Sequence, residues 1–123
     1  MDQIPYRQYR RRPMPPHRAL LLTIAALGAS CTAPPAVPGS DDGSADPALV
    51  RGREIWGKAC ASCHASDGSG GRGPSLVSVE VRFPVLADQI RVVADGRGSM
   101  PGFGGRYDPE ELEAVVRYTR EVL

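Results

Sequence analysis

Groups able to hold a metal or a redox centre are scarce in this 123-residue chain, which has two histidines, three cysteines and three methionines. His17, Cys31, Met1 and Met14 fall in the first 31 residues, so everything downstream depends on Cys60, Cys63, His64 and Met100. A zinc site needs four ligands, and the downstream chain has no second pair of thiols or imidazoles to complete one. Long apolar runs are also missing. The longest, residues 19–27, is well short of the ~18–20 residues that cross a bilayer. Excess charge is absent too: from Pro47 to Leu123 ten basic residues balance ten acidic ones. That balance leaves no basic stripe for nucleic acid and no strong field to steer a highly charged partner. Only Val77, Val79, Val81 and Phe83 alternate as a strand would. With no partner strand to pair with, Val77–Pro84 reads as an extended surface segment.

The basic residues that do stand out are upstream. Arg7, Arg10, Arg11, Arg12 and Arg18 precede the apolar run, and Gly28-Ala29-Ser30 precede Cys31. This is the order of a secretory signal, spanning residues 1–30, with Met14 as an alternative start. Leu27-Gly28-Ala29-Ser30-Cys31 resembles a bacterial lipoprotein processing site, although that site usually has Leu where Gly28 stands. Lipidation would explain an otherwise unpaired exported thiol at Cys31. Ordinary cleavage nearby is the alternative. Residues 31–46 are Pro, Ala, Gly, Ser and Asp with almost nothing to bury, the composition of a solvated flexible linker.

Cys60-Ala61-Ser62-Cys63-His64 is the most informative stretch. Thiols three positions apart on a helix end project to one side, and a histidine directly after them completes the pattern that binds haem covalently. His64 is then the proximal iron ligand. A disulfide, half a zinc site or a thioredoxin-like pair would use the same two thiols, but the last of these belongs in a strand–helix unit. Gly68, Gly70, Gly71 and Gly73 follow, a loop flexible enough to lie against a planar ligand. It lacks the Gly-Lys-Ser/Thr ending of a phosphate loop. The carbonyl of Pro74 is placed to accept the far N–H of His64 and fix the ring. Met100, between loop glycines and ahead of Pro101, is the expected sixth ligand. Arg72 is either a partner for a haem propionate or simply solvated.

The helices are read from their caps. Asp46-Pro47 opens one that runs to about Ala61, with Leu49, Ile55 and Trp56 inward and Gly52 marking a close backbone approach. A second spans Val85 or Leu86 to Asp95, with Leu86, Ile90 and Val93 on one stripe and Gly96 at its end. The last starts at Asp108-Pro109 with Glu111 in the capping-box position. Its stripe is Leu112, Val115, Val116, Thr119 and Leu123, bordered by Tyr118, and it should cross the first helix near Gly52 and Trp56.

From Pro47 to about Val122 the chain resembles the small class I bacterial cytochromes c. The resemblance is carried by Gly52/Trp56, Cys60-Ala-Ser-Cys-His64, Gly-Pro74-x-Leu76, Met100-Pro101 and the terminal helix with Tyr118. It implies an all-α fold of three to four helices around one covalent haem c, with the first and last helices crossing. It also implies thioethers at Cys60 and Cys63, axial ligands His64 and Met100, and Pro74 as the histidine's acceptor. The implied function is a monomeric periplasmic one-electron carrier between respiratory partners such as an oxidase or dehydrogenase, reaching the membrane through Cys31. No acid–base pair or nucleophile marks the chain as an enzyme. The alternatives are a fixed haem subunit of a larger complex, and a sensor or peroxidase-like protein in which Met100 dissociates.

Overall fold

The computed structural model describes residues 32–123, so the signal segment, Met14 and Cys31 lie outside the described residues. Helix α1, Pro47–Ile55, begins as its caps require: the Asp46 carboxylate accepts from the Ala48 N–H at 2.8 Å and Pro47 occupies the first turn. The rod does not then continue as regular α-helix. Trp56–Cys60 forms a π-helical turn, with the Ala61 N–H reaching back to the Trp56 carbonyl, before the single turn α2, Ala61–His64. A π turn adds one residue to the helical register, and side-chain periodicity carries no signal of it.

Val77–Pro84 is not extended. Val79–Arg82 form one turn of helix, α3, entered through Ser78 at φ 55°. An unpaired strand would leave its backbone groups without partners. Here the Val79 N–H donates to the Leu76 carbonyl, the Phe83 N–H to the Val79 carbonyl, and Val79 turns into the core. Helix α4, Leu86–Asp95, ends at Gly96 with φ 81°, as expected. Its buried residue is Gln89, while Leu86, Ile90 and Val93 are half-buried. Helix α5, Pro109–Glu121, starts with the full capping box: the Glu111 N–H donates to Asp108, and the Glu111 carboxylate accepts from the Asp108 N–H.

The core is the crossing of α1 and α5. Leu49, Ile55, Trp56, Val115 and Tyr118 are buried together. Tyr118 does not border this core; it sits at its centre with no exposed surface. A Cβ on Gly52 would overlap the Ala114 carbonyl oxygen and stand 2.9 Å from the Tyr118 Cβ, so the two backbones touch there. The described residues contain no strand, only an isolated bridge between Arg97 and Met100.

Residues 32–46 differ from the solvated linker that their composition suggests. Val37 is 2 % exposed and joins the core cluster. The Tyr118 hydroxyl donates to the Pro35 carbonyl at 2.7 Å, and Arg53 donates to the carbonyls of Pro34 and Pro35, each at 2.8 Å. One buried valine contributes about 1.5–3 kcal/mol, and the hydrogen bonds from a guanidinium add to it. These contacts hold the segment against α1 and α5, and its prolines, with fixed φ, lose less freedom on docking.

Candidate cofactor site

A cavity of about 720 Å³ opens between the end of the rod, α3, α4 and the loop after Gly96. Its size falls within the ~300–1,000 Å³ of cofactor and small-molecule sites. Cys60, Cys63, His64, Pro74 and Met100 all line it, so the five residues singled out in the sequence meet at one place. Leu76, Val79, Phe83, Val92, Val93 and Phe103 supply the apolar wall.

Each polar group is held by its local structure. His64 is buried at the end of α2, and its Nδ1 lies 2.8 Å from the Pro74 carbonyl oxygen. A carbonyl can only accept, so Nδ1 carries the proton, leaving Nε2 with a free lone pair. The loop after His64 makes this approach possible. The Gly73 N–H donates to the Cys63 carbonyl, and the Gly70 N–H donates to the His64 carbonyl. A Cβ on Gly73 would strike the imidazole, at 2.6 Å from Cε1. On the other side Trp56 backs the ring at 6.1 Å between centroids, and its indole N–H donates to the Ser66 carbonyl at 2.8 Å.

Cys60 and Cys63 are half-buried free thiols. Burial, then the charge of the neighbouring Cys63, pushes the Cys60 thiol up to about 11. The Arg72 guanidinium, solvent-exposed at the rim, donates to the Cys63 sulfur at 3.5 Å. Met100 sits in the loop after α4, where its N–H and carbonyl pair with those of Arg97 at 3.0 Å each way. A Cβ on Gly96 would collide with the backbone of this loop, and one on Gly102 with the end of α4 at Ala94 and Asp95.

Gln89 is a cavity residue that the sequence reading missed. Its Nε2 donates to the Thr119 hydroxyl at 2.9 Å and its Oε1 accepts from Arg120 at 3.1 Å. It stands three residues after Leu86 and four before Val93, so a polar side chain on the apolar stripe was the available signal.

The donor set suits an iron porphyrin. Two thiols, one imidazole with a free nitrogen and one thioether share an apolar-walled cavity, and imidazole with thioether is a haem-iron ligand pair. Among the described residues no three His, Cys, Asp or Glu side chains are close enough together to hold one metal ion between them.

Comparison with known proteins agrees with this chemistry. Residues 47–118 match the family model described as cytochrome c oxidase, cbb3-type, subunit III. Cytochrome c6 of Microcystis aeruginosa is 32% identical over 71 residues, covering 54% of this chain and 88% of that protein. The menaquinol:cytochrome c reductase cytochrome c subunit of Geobacillus thermodenitrificans is 39% identical over 57 residues. That match covers 46% of this chain but only 22% of the subunit. Among solved structures, cytochrome c6 from the diatom Phaeodactylum tricornutum superposes with a TM-score of 0.51 at 29% identity, covering 58% of this chain and 90% of that one.

Proposed function

Because the chain belongs to the cytochrome c family just described, with its covalently bound haem c, we propose that Cys60 and Cys63 form the thioethers and that His64 and Met100 are the axial ligands. Haem iron held by imidazole and thioether supplies reversible one-electron transfer. The protein's own residues set the conditions. The His64–Pro74 hydrogen bond fixes the ring and leaves Nε2 free, so His64 would hold the iron through that nitrogen as a stronger donor. The walls formed by Leu76, Val79, Phe83 and Phe103 keep water away, and a dry site raises the energy of the more charged, oxidised state.

The function is therefore one-electron carriage. With both axial positions filled, the iron has no open site for a substrate. The observation that carries this reading is the presence of His64 and Met100 on one cavity beside the two thiols. The similarity to cytochrome c6, matched over 88% of its length, supports the reading as a carrier. The arginine-rich and apolar segments ahead of Cys31 support export to the periplasmic side, with attachment to the membrane through Cys31, and the similarity to cytochrome c6 and to the reductase subunit supports respiratory redox proteins as partners.

The test is Met100→Ala in the purified, haem-loaded protein. The expected result is loss of the far-red methionine-to-ferric-iron band, a lower midpoint potential and carbon monoxide binding by the ferrous form. An unchanged spectrum and midpoint would overturn the ligand assignment.

A further inference from the structure

We propose that residues 34–46 are a docked strap of the haem domain, so that attachment through Cys31 holds the rod end beside Pro34 close to a lipid surface instead of releasing the domain on a free tether. This rests on the Cys31 attachment put forward above. The strap is fixed at both ends. At its start, the carbonyls of Pro34 and Pro35 accept from Arg53 and Tyr118, and Val37 is buried in the core. It then turns on itself, with the Ser40 N–H donating to the Val37 carbonyl and the Ala45 N–H to the Gly39 carbonyl. At its end Asp46 caps α1 and pairs with Arg117 of α5 at 2.8 Å.

The chain therefore has very little slack. From Cys31 to Pro34 it spans at most about 11 Å, against about 58 Å if everything to Pro47 were free. The exit point is also defined. Pro34 packs over Gly57, three residues before Cys60. Lys58 beside it is exposed, and Glu54, one turn back, is paired with Arg51 at 2.8 Å. The exposed charges are mixed, with Lys58 on the rod and Asp41 and Asp42 on the strap, so the anchor's short reach and not charge sets the placement. The domain would thus sit on the membrane with the rod end close to it.

The full lipidated chain, loaded with haem, is placed in phosphatidylethanolamine–phosphatidylglycerol vesicles carrying a headgroup fluorophore that haem quenches. One variant has a flexible Gly-Ser segment inserted between Ala33 and Pro34; another has the same segment at Gly43. Gly43 is exposed, and a Cβ there would meet nothing within 4 Å. The first insertion lies outside the docked contacts and should abolish most of the quenching. The second lies between the strap's two fixed ends and should leave the quenching unchanged. Equal loss in both variants would overturn the docked strap. If Cys31→Ala stays on the vesicles as the parent does, the attachment reading falls and the placement on lipid falls with it. In that soluble variant the Ser40 and Ala45 amides, which donate to the Val37 and Gly39 carbonyls, should still resist hydrogen exchange, and rapid exchange at both would overturn the strap without reference to any membrane.

Discussion

At Gly52 two helix backbones come so close that the Ala114 carbonyl occupies the place of a side chain. Gly52→Ala must push α1 and α5 apart along the whole buried face of Leu49, Ile55 and Tyr118. Overpacking of this kind costs roughly 1–3 kcal/mol, and it outweighs the gain of up to ~1 kcal/mol that alanine has over glycine in a helix. The haem-loaded variant is therefore expected to unfold at a lower denaturant midpoint with an unchanged slope; a midpoint at or above the parent's would refute the close approach. The His64–Pro74 bond depends on an equally local condition, the missing side chain of Gly73. Both contacts were legible in the sequence, because a glycine inside a helix leaves room for another backbone and Pro74 offers a carbonyl within the loop that follows His64. Gln89 was missed because its partners, Thr119 and Arg120, lie some 30 residues away and local periodicity does not report them.

Among the elements, α5 was the most legible and α3 the least. The caps of α1 and α5 are local chemistry, in which an Asp oxygen meets N–H groups two or three residues on. The π turn at Trp56–Cys60 and the single turn at Val79–Arg82 are instead imposed by packing around the cavity, and alternating valines cannot distinguish a turn from a strand. The start of α5 also ties it to α1, because Glu111 accepts from Arg51 as well as from the Asp108 N–H. The hydrogen bond from Arg51, then that from the backbone, lowers the Glu111 carboxyl below its usual value of 4.5. A lowered folded-state value stabilises the fold above the unfolded carboxylate's value, and the stabilisation is lost as pH falls through the folded one. The parent should therefore lose stability on acidification below about pH 4.5. Glu111→Gln should be less stable at neutral pH and show a shallower decline on acid titration followed by thermal melting. Parallel acid profiles would count against the link.

For the whole molecule the cavity is too large to remain empty. Without haem its apolar wall of Leu76, Val79, Phe83, Val92, Val93 and Phe103 would face water, and a domain this small has little other core to compensate. Water entering the open mouth cannot restore the lost apolar contacts. The haem-free chain is expected to lack this fold and to show a weak far-ultraviolet helix signal and no cooperative melt; a sharp transition would contradict it. The strap was not legible, because composition alone reads a proline-rich stretch as solvated, while burial of Val37 depends on a surface made by α1 and α5. That crossing also has a consequence for biosynthesis. Arg51 finds its carboxylate partner 60 residues later, in the final helix. The domain cannot close until its last turns have been made, so Cys60 and Cys63, proposed above as the thioether cysteines, would first be presented on an open chain.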